Sequence, residues 1–163
     1  MNNVTLLLGG NRGNTIQYLI DAKSALQQTI GDCIQTSSVY ESEPWGFSDS
    51  QWFLNQVVVC RTNLTAVEVL NQCLHIEKML GRTRSDYVGY EARVIDIDVL
   101  FYDNTCIDTP QLTIPHPKLH LRYFTLLPLS EIMPDFIHPV LNKKISKLLD
   151  ECNDKGLCHI LEI

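Results

Sequence analysis

The order in which hydrophobic periodicity switches along the chain constrains the fold more than any single motif. Asn3 to Leu8 (NVTLLL) is a short apolar strand ended by Gly9-Gly10. Ile16, Leu19, Ala22, Leu26 and Ile30 then recur at helical spacing from about Thr15 to Ile30. Cys33 to Ser42 (CIQTSSVYES) is rich in β-branched residues and reads as a strand, the turn-rich loop EPWGFSDSQW follows, and Phe53 to Thr62 (FLNQVVVCRT) is the next strand. Thr65 and Glu68 form a capping box that opens a helix, and Gly81 ends it as the C′ residue. Val67, Leu70, Leu74 and Glu77 fall on one stripe of that helix, which makes Glu77 an inward acid in need of a partner. The polar connection RTRSDYVGYEA leads into a last strand within Ala92 to Asp103 (ARVIDIDVLFYD).

Strand, helix, strand, strand, helix, strand is the split β-α-β arrangement of ferredoxin-like folds. The expected class is therefore α+β: a ferredoxin-like βαββαβ core with an antiparallel sheet, helices packed on it, and C-terminal helical additions. Those additions are a short helix from Leu119 to Leu127, in a proline-punctuated segment, and a last helix from Asn142 to Glu151. With 163 residues, no internal repeat and no linker, residues 1–163 read as one domain.

A net charge of −6 argues against nucleic acid or an anionic membrane as partner, so an anionic ligand must be met by a local basic cluster. The opening MNNVTLLLGGNRGNT has no basic n-region, and no segment approaches the ~20 apolar residues of a membrane span. The six cysteines are scattered without a C-x-x-C pair, which reads as reduced thiols in a cytoplasmic protein. The CNDKGLCH stretch matches no standard zinc spacing.

The last strand carries an energetic oddity. Strand alternation puts Val94, Asp96, Asp98 and Leu100 on one face and Ile95, Ile97, Val99 and Phe101 on the other. Two carboxylates then lie roughly 7 Å apart on an otherwise apolar face. Spacing alone leaves two readings open: acids facing water on a free sheet face, or oxygen ligands for a hard cation such as Mg²⁺. Arg82, Arg84 and Arg93 fall within twelve positions beside that pair, out of only 13 basic side chains. Arginine's planar fork matches phosphate oxygens, so acids and arginines together suggest a nucleotide polyphosphate.

Other stretches are weaker. LGGNRGNT fits neither common phosphate-loop template and reads as a tight turn. Trp45, Phe47, Trp52 and Phe53 with Asn55 offer aromatic faces and an amide fork for a flat heterocycle, or serve only as packing. In IPHPKLHLR, His116 is held between prolines and followed by Arg122, a pair suited to phosphate.

In their order, LLLGGNRGN, SSVYESEPWG, FLNQVV, IEKMLGRTR, RVIDIDVLFYDN and IPHPKLHLRYFTLLPLSEIMP resemble the 6-hydroxymethyl-7,8-dihydropterin pyrophosphokinase family across most of residues 4–135. The resemblance implies transfer of pyrophosphate from ATP to the pterin hydroxymethyl oxygen, releasing AMP, for folate biosynthesis. It implies that Asp96 and Asp98 hold two Mg²⁺ ions, and that Arg82 and Arg93 serve the phosphates and turnover. Arg84, Thr113, His116 and Arg122 match nucleotide contacts. Ser42, Glu43, Trp45, Phe53, Asn55 and Phe124 fall on the pterin pocket. The implied partners are ATP and a reduced pterin, acting on a cytoplasmic monomer.

This chain departs from the family's pattern in places. Ser42-Glu43 stands where a threonine-proline pair is usual, Phe53 where tyrosine is common, and Gln111 where some members have arginine. YVGYEAR has Tyr87 or Tyr90 in place of a tryptophan. Two rivals are a non-catalytic ferredoxin-like regulatory domain that binds a small molecule, and a metal-dependent nuclease, which the acidic surface disfavours.

Overall fold

The structure, a computed structural model, describes residues 1–81 and 94–162. In chain order its elements are β1 (Asn2–Gly10), α1 (Thr15–Thr29), β2 (Cys33–Thr36), β3 (Tyr40–Ser42), β4 (Phe53–Thr62), α2 (Ala66–Met79), β5 (Asp96–Tyr102), β6 (Ile107–Asp108), β7 (Thr113–Ile114), a 3₁₀ turn (Leu119–Leu121), α3 (Tyr123–Ile132), α4 (Ile145–Glu151) and β8 (Cys158–Ile160). The main sheet is antiparallel with the order β5-β1-β4-β3-β8, and β2 also pairs with β4. The expected ferredoxin-like core is therefore present, with β1 and β4 as its inner strands.

One face of the sheet packs on α1 and α2, through Val4, Leu6 and Leu8 against Leu19, Leu26 and Ile76. Of the two readings left open for the acid-bearing face, a free face in water is not what forms, because helices cover it. Leu7, Val57, Leu100 and Phe101 form a second core there with Leu126, Leu129, Ile145 and Leu148 of α3 and α4. Burying both faces turns a two-layer sheet into a three-layer one and restricts water's access to the two acids.

Several boundaries shift for local reasons. Gly9 and Gly10 continue β1 instead of ending it, because both pair with β4. The segment 33–42 is two strands. Between them the Ser37 hydroxyl accepts the Val57 N–H at 2.9 Å, while the Ser37 N–H donates to Val57 O at 2.9 Å. A side-chain oxygen thus takes the place of a ladder carbonyl. The capping box at Thr65 and Glu68 forms as expected, and Gly81 has φ +100°. The inward stripe of α2 is Ala66, Val69, Cys73, Ile76 and Glu77, whereas Val67 is exposed.

In β5 the register shifts between Thr5 and Leu6 of its partner, so Leu100 has no opposite residue. This bulge puts Leu100 and Phe101 together in the second core and returns Tyr102 to the first, against the expected strict alternation. Val94 packs on the α1/α2 side, not beside Asp96. The helix expected from Leu119 to Leu127 is instead the 3₁₀ turn followed by α3, separated at Arg122, whose φ −117° and ψ 109° are extended. The last helix begins at Ile145, because Asn142 (φ 56°) is left-handed and Lys144 is extended.

Candidate active site

The site is built on two cross-strand rows. Gly9 of β1 pairs with Asn55 on one side and Asp96 on the other, and Leu7 pairs with Val57 and Asp98. Asn55, Gly9, Asp96 and Asp98 all line one cavity of about 260 Å³ on the α3/α4 side of the sheet. Two strand spacings separate Asn55 from Asp96, about 9–10 Å, with a bare glycine as the floor between them. A Cβ at Gly9 would come within 3.2 Å of Asn55 Oδ1, so glycine lets the amide lie flat against the sheet.

Aromatic residues wall the cavity. Trp45 meets Phe124 edge-on with centroids 6.4 Å apart, and Phe47 meets Phe53 at 5.9 Å. The Arg122 guanidinium lies 4.7 Å from the Trp45 ring centre and 5.7 Å from that of Phe124. Its stacking holds a cation, itself only 7% exposed, against the cavity wall. Asn55 Nδ2 donates to Ser42 Oγ at 2.7 Å.

His116 also lines the cavity. Its N–H donates to Leu100 O at 3.0 Å, and its Nδ1 accepts the Lys118 N–H at 3.1 Å. Burial, with Arg122 as the next cause, brings its pKa down to about 4. The ring is therefore neutral near pH 7, with its hydrogen on Nε2, a donor suited to a phosphate oxygen. His116 also borders a second cavity of about 340 Å³, lined with Thr113, Ile114, His120 and His138.

Behind the acids, Glu77 is 4% exposed and its Oε1 accepts the Ile97 N–H at 2.8 Å. Ile97 sits between Asp96 and Asp98, so this bond fixes the strand segment that presents both. A thiol beside it, Cys73, is pushed up in pKa by burial, with Glu77 and Asp98 adding to the effect. Among the described residues no group of three or more His, Cys, Asp or Glu is placed to hold a metal ion. Two half-buried carboxylates facing an open cavity do fit Mg²⁺, which usually takes one or two protein carboxylates and completes its shell with water and substrate phosphate.

Residues 5–134 match the family of 7,8-dihydro-6-hydroxymethylpterin-pyrophosphokinase (HPPK). Across 163 residues, 100% of both chains, the protein is 37% identical to the 2-amino-4-hydroxy-6-hydroxymethyldihydropteridine pyrophosphokinase of Aquifex aeolicus. It is 40% identical to the Bacillus subtilis enzyme of the same name over 134 residues, 81% of this chain and 79% of that one.

The chain belongs to the HPPK family.

Among solved structures, wild-type HPPK-DHPS of Plasmodium falciparum with SDX-DHP superposes with a TM-score of 0.78 at 19% identity. The likeness covers 92% of this chain and 44% of that one, so it shows the fold, and this chain spans less than half of that protein.

Ten of the residues that the sequence assigned to an HPPK site line the 260 Å³ cavity together: Ser42, Glu43, Trp45, Phe53, Asn55, Asp96, Asp98, His116, Arg122 and Phe124. Thr113 borders the neighbouring cavity instead. Arg82, Arg84 and Arg93, with Tyr87 and Tyr90, lie outside the described residues. Trp52 does not line the cavity; its ring packs 5.9 Å from that of His159.

Sequence reasoning missed Arg12, which pairs with Asp49 at 2.6 Å and donates to Gln51 Oε1 at 2.9 Å. These contacts tie the aromatic loop to the turn after β1, and Arg12 holds the Asp49 carboxyl below the usual range. No local pattern announces a pairing across 37 positions.

Proposed function

We propose that this chain transfers the pyrophosphoryl group of ATP to the hydroxymethyl oxygen of 6-hydroxymethyl-7,8-dihydropterin, giving AMP and the pterin diphosphate of folate biosynthesis. One observation carries the reading: the row Asn55, Gly9, Asp96 across three adjacent strands. A flat heterocycle laid over Gly9 meets an amide at one end and the acid pair at the other. That span suits a pterin held by its polar edge with its hydroxymethyl arm directed to Asp96 and Asp98.

Asn55 and the Ser42 hydroxyl recognise the pterin edge, Phe124 and the aromatic loop cover its faces, and the 340 Å³ cavity beyond His116 takes the nucleoside end of ATP. His116, shared by both cavities, then lies where the phosphates pass between them. Neutral His116 donates from Nε2 to a phosphate oxygen, and Arg122 offsets phosphate charge from the cavity wall, with Arg82, Arg84 and Arg93 assigned to the same task. Asp96 and Asp98 hold two Mg²⁺ ions, which when bound neutralise phosphate charge and polarise the hydroxymethyl group.

The substrate oxygen bonds to the β-phosphorus as the bridge from that phosphorus to the α-phosphate oxygen breaks. AMP leaves with the bridging oxygen, and the hydroxyl proton passes to water or an aspartate. Alignment and charge neutralisation do most of the work in such a reaction. A regulatory domain without turnover has no support from the family match.

All six cysteines are free thiols, which supports a reducing, cytoplasmic setting. No helix among the described residues is long and apolar enough to cross a membrane. The test is AMP formation from ATP and Mg²⁺ with and without the reduced pterin. AMP should appear only with pterin; equal rates in both tubes, or none in either, would overturn the reading.

A further inference from the structure

We infer that residues 154–161, which follow the residues 5–134 matched by the family model, form a strap that sets pterin affinity, with Asp154 as its positioning residue. The inference rests on the pterin reading of the 260 Å³ cavity.

Two walls of that cavity come from unconnected places: the end of β3 with the following loop, which carries Ser42, Glu43 and Trp45, and the first turn of α3, which carries Phe124. They meet edge-on through Trp45 and Phe124, with centroids 6.4 Å apart, and the Arg122 guanidinium lies against both rings. A void of about 90 Å³ lies behind that contact, bordered by both walls and by Asp154, Gly156 and Leu157. The two walls are joined directly farther along, where Tyr40 Oη donates to Glu131 Oε2 at 2.9 Å; the strap adds a bridge at the cavity end.

At the first wall, β8 adds to β3, pairing Tyr40 with Ile160 and Ser42 with Cys158. The Leu157 N–H donates to Glu43 Oε1 at 2.6 Å, and the Glu43 N–H donates to Leu157 O at 3.1 Å. Glu43, assigned from sequence to the pterin, thus also spends one carboxylate oxygen on the strap.

At the second wall, α3 begins without a local cap, because Arg122 at the N-cap position makes no side-chain capping bond. The first N–H groups of a helix need acceptors, and an anion there is favoured by the helix dipole. Asp154 meets that need from 31 positions away: its Oδ2 accepts the Tyr123 N–H at 3.0 Å. Its Oδ1 accepts the Gly156 N–H at 2.8 Å, which turns the chain toward Leu157 and Glu43. One carboxylate therefore couples the start of α3 to the bond that holds Glu43. Loss of it should free Phe124 relative to Trp45 while leaving Asp96, Asp98 and His116 in place.

The experiment uses the full chain with Asp154→Ala and Asp154→Asn, measuring steady-state kinetics with Mg²⁺ and amide hydrogen exchange at Tyr123 and Leu157. For Asp154→Ala the KM for pterin should rise about tenfold, as expected for losing a hydrogen bond to a charged acceptor. The KM for ATP and kcat should stay within about twofold, and exchange at Tyr123 and Leu157 should quicken. Asp154→Asn keeps an acceptor oxygen and should recover most of the loss. An unchanged pterin KM, or pterin KM, ATP KM and kcat all worsening together, overturns the inference. Exchange unchanged at Tyr123 overturns it without reference to substrate. A wild-type protein that makes no pterin-dependent AMP overturns the proposed function instead, and the exchange data then still judge the strap.

Discussion

Asn55 donates from Nδ2 to the Ser42 hydroxyl at 2.7 Å, and both side chains are 2% exposed. With the amide nitrogen engaged on Ser42, its carbonyl oxygen is turned toward Gly9. The Ser42 hydroxyl in turn has its own hydrogen to donate. The pair therefore presents a fixed pattern of donors and acceptors to whatever lies over Gly9. Ser42→Ala should raise the KM for pterin about fivefold or more, in line with one lost buried hydrogen bond. Ser42→Thr, which keeps the hydroxyl, should stay close to wild type. Equal effects of the two variants on pterin KM would show that the hydroxyl is not what matters.

Gly9 is the floor of the site. An added methyl would stand 3.2 Å from Asn55 Oδ1 and 3.5 Å from Leu54 O, close enough that the amide must shift by a few tenths of an ångström. Gly9→Ala should weaken pterin binding about tenfold or more while the protein stays folded, because the strand's φ is not in the left-handed region. Binding followed by titration calorimetry, alongside thermal unfolding, separates the two effects.

The acid pair should matter for catalysis and not for folding. Replacing either Asp96 or Asp98 with Asn should lower kcat at least about a hundredfold, the scale of several kcal/mol of metal charge stabilisation. In metal-free buffer the same variants should still unfold in one cooperative transition, as wild type does. Adding Mg²⁺ with a non-hydrolysable ATP analogue should raise the melting temperature of wild type through binding linkage and raise that of the variants less. A kcat within a few-fold of wild type for both variants would contradict the assignment.

The acids were legible because a strand's alternation forces Asp96 and Asp98 onto one face whatever else the chain does. Pairing across the sheet was not, since nothing local in LGG says that Gly9 will sit between Asn55 and Asp96. Leu100 shows the limit of periodicity: one unmatched residue in β5 moved Phe101 to the other core. Arg12 with Asp49, and Asp154 with Tyr123, escaped for a related reason. Each is a contact between loops or ends far apart in sequence, made by residues that look like ordinary surface polar groups. The helix signals that did hold, Thr65 with Glu68 and Gly81, are closed within a few residues.

His116 should leave a signature in acid. Its pKa is held near 4 in the folded chain, chiefly by burial, against 6.5 ordinarily. Between those values the unfolded chain binds the extra proton, so stability is full above about pH 6.5 and falls as pH drops toward 4. The contribution lost is on the order of 3 kcal/mol at most. Urea unfolding of metal-free protein at several pH values should show this decline. His116→Asn, which does not titrate, should show a shallower one; parallel curves would contradict the burial of the ring.

ATP labelled at the β-phosphorus distinguishes pyrophosphoryl transfer from every neighbouring reaction. Incubated with the protein, Mg²⁺ and the reduced pterin, the label should appear in the pterin product in step with AMP, and the AMP itself should carry none. Label retained in ADP, or released as free phosphate or pyrophosphate while the pterin stays unlabelled, would contradict it.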